Sequence, residues 1–229
     1  MAFILEKVVP WGRSYAEYTA MFALSAADLA KRILGCGDGP ASFNAEHTAR
    51  GGKVVSVDPL YRFTAEEIRQ RIAATYPEVM AQTRANQNEF LWTTIPSVEE
   101  LGRRRLAAME SFLADFATGQ AQGRYRDGML SRLPFREGDF ELALCSHLLF
   151  LYGEHLSEDF HVDAIWEMCR IAGEARVFPL LELGGMPSRH LHVVIRRLAA
   201  AGYQVSVEPV AYEFQRGANQ MLRVIKPRP

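Results

Sequence analysis

The sequence predicts an α/β fold: a mostly parallel seven-stranded sheet with helices on both faces and one antiparallel strand at its end. Three observations carry this. Short β-branched runs alternate with amphipathic helical stretches along most of the chain. A glycine-rich turn follows directly on the first such run. The last two apolar runs are separated only by a loop, so they pair antiparallel and reverse one strand.

The elements justify this in order. Ser14 precedes Tyr15, Tyr18, Met21 and Phe22, which share one helical face, so a helix opens there and residues 1–30 form an N-terminal helical cap. Ile33 and Leu34 begin the first strand, which runs into Gly35-Cys36-Gly37-Asp38-Gly39-Pro40. Residues 41–49 are helical and Gly51-Gly52 ends that helix. The run 53–57 (KVVSV) is a buried strand that stops at Asp58-Pro59.

The region 61–126 is too long for an ordinary crossover and reads as a helical insertion or lid. Thr64 with Glu67 is a capping box, and Pro77 is expected to interrupt its helix. Ser97 with Glu100 is a second box, whose helix should run to about Phe116 and end at Gly119. Regular alternation then resumes. Residues 140–146 form a strand, 157–172 a helix closed by Gly173, 175–181 a strand, and 188–201 a helix closed by Gly202. The strands 203–210 and 221–225 end the sheet, and the whole of 1–229 reads as a single domain.

Composition narrows the function. With 26 Lys+Arg against 27 Asp+Glu the net charge is −1, which disfavours a broad nucleic-acid footprint. No apolar stretch approaches the about 18 residues of a membrane span. The N-terminal apolar start is too short and too soon interrupted for a signal peptide. Cys36, Cys145 and Cys169 form neither a disulfide framework nor a CxxC pair, which places the chain in a reducing cytoplasm.

The chemistry points to the first strand–helix turn. Gly35, Gly37 and Gly39 permit a tight bend and close ligand approach. Asp58, at the end of the second strand, has the acceptor capacity for a ribose diol. The dinucleotide fingerprint is GxGxxG, whereas this loop is GxGxG followed by Pro40, which makes a nicotinamide oxidoreductase a distant alternative.

The loop resembles that of the class I S-adenosylmethionine-dependent methyltransferases. The stretch Leu133-Pro134-Phe135 followed by Asp139-Phe140 and the strand to His147 is similar to the family's approach to its fourth strand, and the terminal hairpin matches its fold. The resemblance covers about 30–60 and 127–226. It implies an S-adenosyl-L-methionine cofactor held by Gly35, Gly37, Gly39 and Asp58, with Leu133 on the adenine side. Ile33 stands where the family usually carries an acid, and Asp127 is slightly early for the adenine-contacting acid.

His147, at the end of the predicted fourth strand, is the candidate general base, against a role in ordering the next loop. Tyr152, Glu154 and His155 share that loop. Phe90 and Trp92 in the insertion, and Pro10-Trp11-Gly12-Arg13 before the first helix, are placed to cover an acceptor. Arg103-Arg104-Arg105 with Arg124, Arg126, Arg132 and Arg136 is the one basic concentration, read first as a solvated helix face. No Asn-Pro-Pro-Tyr-like tetrapeptide, the family's mark for planar amino nitrogens, follows the fourth strand. The expected activity is methylation of a small-molecule acceptor, with nucleic acid and membrane disfavoured. RNA or protein methylation, and a non-catalytic scaffolding protein of the same fold, remain alternatives.

Overall fold

The computed structural model describes residues 9–227; the apolar N-terminal start lies outside the described residues. The seven strands are β1 (Arg32–Cys36), β2 (Lys53–Val57), β3 (Tyr125–Arg126), β4 (Leu142–Ser146), β5 (Glu174–Phe178), β6 (Gln204–Pro209) and β7 (Gln220–Ile225). They form one sheet in the order β3-β2-β1-β4-β5-β7-β6. The first five are parallel, and β7 runs antiparallel to both β5 and β6. Strand order reverses between β1 and β4, where parallel sheets open a crevice beyond their carboxyl ends.

β1 and β4 are buried almost throughout, as central parallel strands must be. On one face the core is built by Leu34, Ala143, Cys145 and Val177 against Ile165, Met168 and Val194 from the helices α6 (Glu158–Ala172) and α7 (Leu191–Ala200). On the other, Ile33, Val54, Leu144 and Phe178 pack on Tyr18, Met21 and Phe22 of the N-terminal region and on Phe43. Here lie α1 (Tyr15–Met21), α2 (Ala26–Leu29) and α3 (Phe43–Ala49). Ser14 and Glu17 cap α1 reciprocally, and Ser25 with Asp28 does the same for α2.

The middle region departs from the sequence reading in three ways. The helix opened by Thr64 does not stop at Pro77: α4 spans Ala65–Ala85. Pro77 is on the exposed side, so the carbonyl it leaves unpaired faces water, while Ile68, Ile72, Val79 and Met80 keep a buried stripe on both sides of it. The next helix, α5 (Val98–Ala121), passes through Gly119. That glycine is a packing site, since a Cβ there would collide with the Tyr125 ring. Ser97 caps α5 through Glu100 N–H, but the Glu100 carboxylate turns to Arg103 and Arg104, so only half the expected box forms. The third strand, Tyr125–Arg126, is too short for any hydrophobic pattern to announce it.

Other boundaries shift by a few residues. α3 begins at Phe43 rather than 41, β5 ends at Phe178 before Pro179, and α7 begins at Leu191 rather than 188. α4 and α5 pack together beside the sheet in one apolar cluster, Ile68 and Ile72 of α4 joining Phe112 and Phe116 of α5 with Tyr61 and Tyr125.

Candidate active site

At the carboxyl ends of β1, β2 and β4 a cavity of about 490 Å³ opens. The turn after β1 forms its floor. Gly37 and Gly39 adopt φ of +67° and +51°, a region costly for residues with a Cβ. Gly35 serves a different need: a Cβ there would collide with the Asp38 carboxylate. Space beside Gly39 is open, with Asp58 Oδ2 4.0 Å from the position a Cβ would take.

Asp58 ties the loop to β2. Its Oδ2 accepts Gly39 N–H at 2.8 Å and its Oδ1 accepts Leu60 N–H at 2.8 Å. Burial raises its pKa, and the two N–H groups oppose that rise. Each oxygen keeps a second lone pair, and the residue lines the cavity. Asp38 points back beneath the loop. It accepts from Tyr18 O–H at 2.9 Å and Ser56 O–H at 2.6 Å, and burial lifts it to about 6. No acid occupies the Ile33 position, which is fully buried in the core.

Leu133 does not reach this cavity. It is buried in the main core, with its N–H donated to Glu167 at 2.7 Å. Gly128, Met129 and Leu130 form that wall instead, because the chain after β3 turns inward there and Leu133 sits behind Gly128. Asp127 is exposed and pairs with Arg62 at 3.3 Å.

His147 lines the cavity at the end of β4 with φ of +54°. Its N–H donates to Phe178 O at 2.7 Å, its ring stands edge-on to Phe178, and its Nδ1 lies 2.8 Å from Ser146 Oγ. Burial, reinforced by the nearby Arg13 and Arg105 charges, holds its pKa well below the usual imidazole range. Tyr152 joins the lining, while Glu154 faces outward and pairs with Arg189. His161 is a core residue whose Nε2 accepts Phe150 N–H. The three cysteines are free and buried. Among the described residues no cluster of His, Cys, Asp or Glu can hold a metal ion, and no helix is long and apolar enough to cross a membrane.

The insertion and the N-terminal region close over the cavity. Val9, Trp11, Arg13, Val79 and Thr83 line it. Segment 86–92 is laced to the β6–β7 loop: Leu91 N–H donates to Phe214 O, Arg216 N–H donates to Glu89 O, and Phe90 stacks on Phe214 with centroids 5.0 Å apart. Phe90 lines the cavity; Trp92 packs on Phe214 and donates to Gln87 O.

The arginine run divides. Arg103 and Arg104 are surface residues paired with Glu100, as a solvated face requires. Arg124 pairs with Asp115 at 2.7 Å. Arg105, however, is 1% exposed and lines the cavity beside Arg13. Its spacing from Val98, Leu101, Met109 and Phe112 puts it on the buried stripe of α5, a signal the charge run concealed.

The sheet order, the reversed β7 and the glycine loop at the switch point are those expected from the sequence's resemblance to the class I methyltransferases. No protein-family model matches the chain. Among solved structures it is similar to a SAM-dependent methyltransferase of Thermotoga maritima, described as a possible histamine N-methyltransferase. That match has 15% identity and a TM-score of 0.46, over 93% of this chain and 89% of that one. It is also similar to magnesium protoporphyrin IX methyltransferase of Synechocystis PCC 6803 with bound SAH, at 12% identity and a TM-score of 0.49, over 93% and 84% of the two chains. A relative in Methanocaldococcus jannaschii, the uncharacterized protein MJ0045, is 31% identical over 219 residues, 95% of this chain and 96% of that protein. The chain therefore belongs to the same family as that archaeal protein.

Proposed function

We propose that the protein is an S-adenosyl-L-methionine-dependent methyltransferase acting on a small-molecule acceptor. One observation carries the reading: the glycine loop, Asp58 and His147 all face one partly covered cavity at the switch point of the sheet. Its volume falls within the about 300–1,000 Å³ of small-molecule sites. The open space at Gly39 and the spare lone pairs of Asp58 fit a nucleoside diol, so Gly37, Gly39 and Asp58 would hold the cofactor. Gly35 contributes by admitting Asp38, and Gly128-Met129-Leu130 replaces Leu133 as the wall beside the nucleoside.

When bound, the cofactor supplies a methyl group on a sulfonium, electrophilic enough to need only alignment and exclusion of water. The N-terminal region and the laced 86–92 segment partly cover the cavity and so limit its contact with water. Held by Gly37, Gly39 and Asp58, the cofactor would supply its methyl group to an acceptor lone pair and keep the electron pair of the broken carbon–sulfur bond on sulfur. A hydroxyl or ammonium acceptor also loses a proton, and His147 is placed to take it. His147 Nδ1 is held 2.8 Å from Ser146 Oγ. In the tautomer with the proton on Nδ1, that hydroxyl oxygen accepts Nδ1–H and Nε2 is left bare to receive the proton.

The test is titration calorimetry with S-adenosylmethionine and S-adenosylhomocysteine. Micromolar binding, weakened by about 1.5–3 kcal/mol in Asp58→Ala, is expected from the loss of a hydrogen-bonding charged group. Absence of binding by the intact protein overturns the reading and leaves a scaffolding role for the fold.

A further inference from the structure

The cavity lining carries both signs of charge. Asp38 and Asp58 lie at the glycine loop, and Arg13 and Arg105 also line the cavity, the Arg13 main chain standing beside that loop with its carbonyl accepting Ser42 N–H at 3.0 Å. Arg105 Nη1 donates to Glu17 Oε2 at 2.6 Å. Glu17 is then fully engaged, because Oε2 also accepts Ser14 N–H and O–H, and Oε1 accepts Tyr212 O–H at 2.9 Å. Arg13 has only the Trp11 carbonyl at 3.1 Å, and among the described residues it makes no ion pair. The Nε of Arg13 and that of Arg105 are both buried without a partner.

The buried Arg105 guanidinium thus takes the one carboxylate, and the half-buried Arg13, which lines the cavity, carries a positive charge with no ion-pair partner among the described residues. Facing the cavity, that charge is open to a counter-ion brought by a ligand. The planar guanidinium fork suits a carboxylate, which it binds through two parallel hydrogen bonds.

We infer that the acceptor is an apolar or aromatic molecule bearing a carboxylate, and that Arg13, backed by Arg105, receives that carboxylate. The assignment of this ligand as the acceptor rests on the methyltransferase reading. Position supports it. Tyr212, which shares Glu17 with Arg105, sits edge-on to Phe178 at the end of β5. Asp58 follows β2, three strands away in the sheet, or about 14 Å at the usual strand spacing. The Tyr212–Arg105 side of the cation cluster is therefore away from the nucleoside diol. Phe90, Leu151, Leu183 and Phe214 also line the cavity and supply apolar walls for the body of the molecule. His147 gives a second support. The two arginine charges weaken it as a base, and an anion seated on Arg13 offsets them.

The experiment uses the full chain and calorimetry with two probe pairs, 4-hydroxybenzoate against 4-hydroxybenzamide and indole-3-acetate against indole-3-acetamide, with and without saturating S-adenosylhomocysteine. The variants are Arg13→Gln and Arg13→Lys, with S-adenosylhomocysteine and 5′-methylthioadenosine titrated on each. At least one carboxylate should bind tenfold or more tightly than its amide. Arg13→Gln should abolish that preference while S-adenosylhomocysteine affinity stays within twofold, and Arg13→Lys should keep part of it. Amides binding as well as carboxylates, or no carboxylate binding at all, overturns the inference. So does a tenfold loss of S-adenosylhomocysteine in Arg13→Gln with 5′-methylthioadenosine unchanged, since Arg13 would then hold the cofactor's own carboxylate. Failure of the intact protein to bind either nucleoside sinks the methyltransferase reading instead; the titrations without nucleoside still decide whether Arg13 selects carboxylates.

Discussion

Replacing Glu17 by Gln should destabilise the protein severely, because Glu17 is the only carboxylate ion-paired with Arg105 among the described residues. Arg105 is 1% exposed, so the variant leaves a buried guanidinium without a counter-charge, with the half-buried Arg13 cation close enough to act on it. Removing one partner of a buried pair costs about 3–5 kcal/mol. Titration gives the same scale. The arginine charge and its hydrogen bond outweigh burial and hold Glu17 at about 2, against an ordinary 4.5. That difference corresponds to about 3 kcal/mol. The group's folded pKa is depressed, so its contribution is complete above pH 4.5 and is lost as pH falls from there toward 2. At about 2–4 °C per kcal/mol for a chain this long, Tm at pH 7 should fall by about 10 °C. Urea unfolding of wild type and Glu17→Gln between pH 7 and pH 2.5 would measure the gap and its closure in acid. Arg13→Gln serves as the control: removing the unpaired cation should leave stability unchanged or raise it. A Glu17→Gln loss below about 1 kcal/mol at pH 7, or a gap that does not narrow in acid, would refute the reasoning.

Asp38 should behave in the opposite sense. Its folded pKa is raised to about 6 from 3.8, so wild-type stability should decline between those values as pH rises, by up to about 3 kcal/mol. Asp38→Asn should flatten that stretch of the profile; parallel curves for the two proteins in urea would contradict it. Gly35→Ala should cost about 1–3 kcal/mol by forcing Asp38 from its place, and pairing it with Asp38→Ser should recover much of the loss, read from denaturation midpoints. Phe214→Ala should loosen the clasp between segment 86–92 and the β6–β7 loop. Faster amide exchange at Leu91 and Arg216, with the β4 amides unchanged, is the expected signature.

The sequence by itself determined whatever depends on neighbours along the chain. The strand 53–57 is found with the bounds read from its β-branched residues. The cap at Ser14 and the box at Thr64 form as read, and Ser157 and Gly173 bound α6, because these hydrogen bonds close within one turn. Alternation and the terminal hairpin were enough for the architecture, since few topologies satisfy them.

Tertiary structure decided what depends on residues far apart. Pro77 is carried inside α4 because packing on both sides of it outweighs one missing hydrogen bond. Tyr125–Arg126 is a strand only because β2 offers a free edge beside it. Leu133 turns to the core while its neighbours Gly128 to Leu130 face the cavity, a choice made by how the chain leaves β3. Above all, the Glu17–Arg105 pair joins residues 88 positions apart and draws one arginine of a seemingly solvated run into the site beside Arg13. Charge counted along the chain cannot reveal this. The cost of a buried ion depends on which groups surround it in space, and only the fold brings those groups together.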